Sequence, residues 1–230
     1  MTQRRFTLGY LATAIAAMSF ASVASAEGFY FGLNYGSATF DANKKDFDTG
    51  FLTPFTKGVQ ADGITVTSAT SSLDDTDNGW SAVVGYRFNS YVAAEFGYLN
   101  LGEARYTANV AGTDGVFNYA YVPSARLTSS GPTAALLGIF PFSAFEVYGK
   151  AGVFFSKTKI RDKIESATED TVSAEVKADS QDMFYGVGAT WNFSENYSVR
   201  LEYQKYLNVG DNDHTGEGDV DFISVGVLFR

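Results

Sequence analysis

The residues best placed to do chemistry are a histidine in an acidic loop and six charges spaced along alternating segments. His214, the single histidine of the chain, sits in Asp211-Asn212-Asp213-His214-Thr215-Gly216-Glu217-Gly218-Asp219. Hydrolysis or acyl transfer would need a nucleophile, a base and an orienting group within hydrogen-bond reach. The Thr215 that follows gives no compact His-x-Ser arrangement, so the expectation is a solvated histidine and no catalytic residue. The same stretch partly imitates a calcium loop, with oxygen-bearing side chains at alternating positions and a glycine sixth, but Phe222 stands where a bidentate Glu belongs. Asp74-Asp75-Thr76-Asp77 is a poorer cluster of the same kind. Both read as acidic, solvated loops rather than metal sites, with weak divalent-cation binding as the alternative. No glycine loop surrounds Gly149-Lys150-Ala151 to cradle a phosphate, and no cofactor is expected.

The six charges are Arg87, Glu95, Glu146, Lys150, Arg200 and Glu202. Three carboxylates could suggest acid/base catalysis, yet cations of the same alternating face stand ready to neutralise them, and an unpaired buried charge is costly. A structural ion network is the reading. Small residues share that face: Gly85 with Arg87, Gly97 with Glu95, Gly152 with Lys150, and Gly186 and Gly188.

Period-two segments must position these charges, and no helical stripe stands out. Strands are predicted near Phe29 to Ser37, Trp80 to Phe88, Tyr91 to Leu101, Thr133 to Phe140, Phe145 to Ser156, Asp182 to Phe193, Tyr197 to Tyr206 and Val220 to Phe229. The stretch from Thr107 to Gly131 could extend the third and fourth above a membrane. Asn89-Ser90, Pro141 to Ala144 and Ser194 to Asn196 are tight turns, whereas the other four connections are long and polar. That alternation is expected of outer-membrane barrels, with short turns inside the periplasm and long loops outside the cell.

The face opposite the charges is apolar, as in Ala82, Val84, Tyr86 and Phe88, or Tyr185, Val187, Ala189 and Trp191. A charge there would cost ~2–4 kcal/mol at the bilayer midplane. A soluble ligand-binding barrel would invert the two faces and leave the strand glycines on an outer surface, where glycine only weakens a strand. Aromatic residues make up 16% of the chain and fall at strand ends, as an interfacial girdle requires. Trp80, Tyr98 and Tyr203 belong to the outer edge; Phe88, Phe193, Tyr197 and Phe229 to the periplasmic one.

Arg4 and Arg5, the apolar stretch from Leu8 to Phe20 and Ala24-Ser25-Ala26 follow a secretory pattern, predicting a cleaved signal over residues 1–26 and a barrel domain over 27–230. The chain has no cysteine, so it can form neither a disulfide nor a lipid anchor on one. A formal charge of -9 makes nucleic acid an improbable partner. Beyond the signal no apolar run approaches the length of a transmembrane helix.

Gly79-Trp80 to Gly102, with Val84-Gly85-Tyr86-Arg87-Phe88 and Ala94-Glu95-Phe96-Gly97-Tyr98, resembles the OmpA-like and OmpX-like small outer-membrane barrels. So does the end, Tyr197 to Tyr206 and Ile223-Ser224-Val225-Gly226-Val227-Leu228-Phe229-Arg230. Family members usually finish on an aromatic residue that addresses them to the insertion machinery, whereas this sequence stops one residue later, at Arg230. The fold expected is all-β: an eight-stranded antiparallel up-and-down transmembrane β-barrel, with short periplasmic turns, four long extracellular loops and no appended peptidoglycan-binding domain. Expected partners are outer-membrane lipids, lipopolysaccharide, the insertion machinery and an unidentified extracellular ligand. The expected role is structural or adhesive, carried by loops over Thr39 to Asn78 and Lys157 to Ser180. A narrow passive pore is the alternative, and a lipid A-modifying enzyme a more remote one.

Overall fold

The computed structural model describes residues 28–166, 172–211 and 216–230. The predicted signal and residues 212–215 of the calcium-like loop, His214 among them, lie outside these residues. Among the described residues nine strands form: β1 (Gly28–Phe40), β2 (Thr65–Asp74), β3 (Thr76–Arg87), β4 (Val92–Thr113), β5 (Asn118–Phe142), β6 (Phe145–Ser166), β7 (Val172–Asn192), β8 (Tyr197–Asp211) and β9 (Gly216–Phe229). Eight of them, all but β2, pair antiparallel with their neighbours in a closed ring, which β1 and β9 seal from Phe31↔Phe229 to Phe40↔Val220. Closure leaves the ring no bare edge. The second strand, β2, continues the line of β3 along the upper half of β4, from Asp74↔Arg105 to Thr65↔Thr113.

The polar connections differ from the expected long loops. The β4–β5 pair reaches Thr113↔Asn118, the extension that Thr107 to Gly131 allowed, and the β6–β7 pair runs far beyond its predicted strand ends, to Ile164↔Val172. The first connection also departs from the helix-free reading: α1 (Lys44–Phe47), a π-helical turn (Asp48–Leu52) and α2 (Thr53–Ala61) follow β1. Asn43 caps α1 by accepting from the Lys45 N–H at 3.0 Å, and Pro54 stands in the first turn of α2, where its missing N–H costs nothing.

Alternation decides which side each residue takes. Phe96 (67% exposed) and Trp191 (49%) project outward, while Arg200 (3%) and Glu202 (1%) are buried within the ring. On β6 the outward positions from Phe145 to Phe155 carry no charge, and Lys157 follows. At roughly 3.3 Å per residue and ~40° of tilt that span stands ~25 Å tall, the height of a lipid-facing band. On β8 the band ends likewise between Tyr203 and Lys205, and on β9 between Ile223 and Asp221.

A bulge between Asn100 and Glu103 breaks the β4 register just above the band. Gly102 holds a positive φ of 78° there, and a Cβ on it would fall 2.7 Å from the Asp77 carboxylate. That carboxylate accepts the Glu103 N–H at 2.9 Å, and the Asn100 side chain accepts the Gly102 N–H at 2.8 Å. The extra residue shifts parity, so Leu99 and Leu101 face inward below the bulge and Ala104, Tyr106 and Ala108 above it.

Candidate functional site

The interior is built in three storeys. The lowest is the ion network. Glu95 Oε1 accepts from Tyr30 Oη and from Arg200 Nη1, both at 2.7 Å, while its Oε2 lies 2.7 Å from Lys150 Nζ. Lys150 also donates to Glu202 Oε1 at 3.0 Å, and Tyr148 donates its hydroxyl to Glu202 Oε2. The Arg200 guanidinium lies 4.9 Å from the centre of the Tyr148 ring and 5.9 Å from that of Tyr30, which adds cation–π attraction. Nearer the periplasmic end, Arg87 Nη1 donates to Glu146 Oε1 at 2.8 Å, and Arg230 reaches Glu146 Oε2 at 3.6 Å. Arg87 also donates to the Asn89 and Ser90 carbonyls, at 3.2 and 2.9 Å, tying the first tight turn to the network.

Six charges predicted from the sequence thus form two clusters, Glu95–Arg200–Lys150–Glu202 and Arg87–Glu146. Tyr30, Tyr148 and Arg230 were missed. The signal for the tyrosines lay in the glycines opposite: a Cβ on Gly85 would sit 2.0 Å from Tyr30 Cζ, and one on Gly188 2.2 Å from the Tyr148 hydroxyl. Each large side chain lies where its cross-strand partner has none, which is how a narrow barrel fills itself. The carboxylates are held by cations and tyrosines, and the cavity beside Tyr30, Arg87, Glu146 and Arg230 measures about 10 Å³, room for roughly one water.

The middle storey is mainly apolar, with Asp182 buried across from Phe154 and accepting from Ser180 at 2.7 Å. Phe184 stacks on Tyr206 at 4.9 Å, Phe154 meets the same ring edge-on at 5.3 Å, and Leu99, Leu101, Phe222 and Val220 fill the same buried cluster. The top storey is a cap. Phe47 stacks on Tyr106 at 5.2 Å, Phe51 meets the same ring edge-on at 6.0 Å, and Leu52 and Leu73 complete the cluster. Asp48 pins it, accepting from Tyr106 at 2.5 Å, Ser71 at 2.6 Å and Lys44 at 2.8 Å. Hydrogen bonds from Lys44, Ser71 and Tyr106 bring the Asp48 carboxyl down to about 2. Burial first, then the bond to Asp48, pushes the Tyr106 hydroxyl up to about 12.

Outside, Trp80 stacks on Tyr98 at 6.0 Å at the outer edge, with Tyr203 at the same edge; Phe193 stacks on Tyr197 at 6.4 Å and Tyr197 meets Phe229 at 5.7 Å at the other, where Phe88 also lies against Tyr86. Among the described residues no three His, Cys, Asp or Glu side chains gather as metal ligands.

A closed ring of eight strands with an uncharged outer band and charges sealed inside is an integral outer-membrane β-barrel. The chain belongs to the OmpA-like transmembrane domain family, whose model matches residues 24–230, and its place is the bacterial outer membrane. Outer membrane protein A of Escherichia fergusonii is 30% identical over 156 residues, 66% of this chain and 40% of that protein. The Shigella dysenteriae protein of the same name is 31% identical with the same coverage. The chain therefore spans about two-fifths of the length of these curated relatives. Among solved structures it is similar to Neisserial surface protein A (14% identity, TM-score 0.44, 88% of this chain and 97% of that one). It is also similar to OprG of Pseudomonas aeruginosa (16%, 0.43, 91% and 100%) and to the outer membrane protease OmpT of Escherichia coli (10%, 0.42, 88% and 96%).

Proposed function

We propose that the protein is an occluded, non-enzymatic barrel that serves as a structural and interaction element of the envelope, presenting a rigid extracellular β-platform. The observation that carries this reading is the filled interior: ion network, aromatic layer and helical cap are stacked along one axis. A solute passing through would have to displace Phe154, Phe184 and Tyr206 together, and such packed side chains have few voids to yield. What remains available for contact is the wall and its extracellular hairpins. A catalytic role finds no support in the carboxylates of the ion network, Glu95, Glu146 and Glu202, each neutralised by a cation.

Planar-bilayer recording tests the reading. A silent bilayer is expected from the wild type, and discrete channels from a Phe154→Ala/Phe184→Ala variant that opens the aromatic layer. Reproducible conductance from wild type would favour the narrow pore instead. Unchanged lipid A chemistry on replacing His214 with Ala is expected, and its loss would favour the enzyme.

A further inference from the structure

Above the lipid-facing band, the outward wall of β4 to β7 gathers positive charge on a chain that is acidic as a whole. Alternation on β6 aims Lys157, Lys159, Arg161 and Lys163 to the same side. Cross-strand register adds to them: Arg105 pairs with Arg126, and Arg126 with Arg161, giving three adjacent arginines along one rung. One rung closer to the membrane, Lys159 faces Lys177.

Like charges directly opposite one another in a sheet destabilise it, and the local carboxylates relieve the strip only in part. Glu103 pairs with Arg105; Glu175 is shared between Arg161 at 2.5 Å and Lys177 at 2.6 Å. Asp74 lies beside Arg105 and Asp179 beside Lys157 in register, yet neither makes an ion pair there. Lys163 aside, the strip carries six cations against four carboxylates, and among the described residues Arg126, Lys157 and Lys159 have no carboxylate within ion-pair distance.

We propose that this strip binds the phosphate groups of the outer-leaflet glycolipid, lipopolysaccharide. Position selects the occupant. Lys157 is the next outward residue after Phe155, the last of the β6 band, and Lys159 the one after that. Each outward step along a tilted strand rises ~5 Å, so Lys157 stands within the ~5–8 Å layer where headgroups begin and Lys159, ~10 Å above Phe155, at its outer margin. The arginine rung lies ~15 Å above Phe155, at the height of sugars that follow the headgroup. Arginine guanidinium groups match phosphate oxygens in a two-pronged geometry, and a phosphate between Arg126 and its neighbours would replace repulsion with charge-assisted hydrogen bonds. The inference rests on the outer-membrane location and is independent of whether the lumen conducts.

The test titrates the full protein, folded in detergent, with solubilised bis-phosphorylated lipid A and with its dephosphorylated form. Wild type is expected to prefer the phosphorylated form by on the order of ten-fold, the worth of one charge-assisted contact. An Arg126→Gln/Lys157→Gln/Lys159→Gln variant, its folding verified by heat-shifted migration in electrophoresis, is expected to lose that preference. Equal binding of the two forms by wild type overturns the proposal, and this contrast decides even if the variant does not fold. Retention of the preference by the folded variant overturns the assignment to these residues. Dextran sulfate binding in place of lipid A would mean a soluble polyanion is the occupant, and would overturn the lipid assignment.

Discussion

Below Asn100 the barrel wall keeps its ions inside and its apolar side chains outside; above it, β4 turns Tyr106, Ala108 and Val110 inward and Arg105 outward. The same strand obeys opposite rules because its surroundings change. Hydrocarbon cannot solvate a charge, so below the girdle Glu95 is admitted only where Arg200 and Lys150 meet it. Water and headgroups begin above, so charge moves to the surface and the helical cap supplies an apolar interior. The bulge at Asn100–Glu103 lies where one rule gives way to the other.

The sharpest way to break this contrast is to disturb the buried ions. Arg200→Ala leaves Glu95 and Glu202 with Lys150 alone, and a loss of ~3–5 kcal/mol is expected in urea unfolding of the barrel in vesicles. An effect under ~1 kcal/mol would show that water reaches the lower lumen and screens it. Next in size is a charge placed on either side of the girdle. Val187→Arg, on the lipid-facing wall, should cost ~2–4 kcal/mol by the same measurement. Ser173→Arg, exposed on the upper part of the same strand, should stay within ~0.5 kcal/mol. Equal costs at the two sites would remove the distinction between the regions.

Glycines give a smaller test of inside against outside. Gly85→Ala drives a methyl into the Tyr30 ring and should cost ~1–3 kcal/mol, whereas Gly149, outward on β6, has nothing within 4 Å of an added Cβ. Gly149→Ala should leave the unfolding midpoint unmoved or raised. The smallest effect belongs to the cap. Because the folded state depresses the Asp48 carboxyl to about 2, from an ordinary 3.8, its contribution to docking is present above about pH 4 and lost as pH falls toward 2. A carboxyl NMR titration should place the Asp48 midpoint near 2; a midpoint near 4 would mean that the helical segment is not docked.

Legibility divides along the same boundary. The lower wall could be read because the membrane imposes strict alternation: Tyr185, Val187, Ala189 and Trp191 against Gly186, Gly188 and Thr190 admit one interpretation. The upper wall is bathed in water on one side and padded by a cap on the other, so its sequence is under weaker constraint. Thr65 to Leu73 is a run of small and hydroxylated residues that nevertheless forms most of β2, and Lys157 to Lys163 resembles a solvated loop while continuing β6. The helices escaped notice because they are short and interrupted by Gly50, Pro54 and Gly58. The aromatic layer was within reach: Phe154 has the same parity as Glu146, Tyr148 and Lys150 on β6, and extending that count by two more steps places it inside.

The pairing of β1 with β9 has a consequence for assembly. These partners stand at opposite ends of the described chain, so the zipper that completes the cylinder is also its longest-range contact. Until the last strand arrives, β1 and β8 each offer an unmated row of amides and carbonyls to any passing strand. Synthesis and sealing must therefore be separate events, and a chain halted before β9 would be a template for aggregation rather than a smaller barrel.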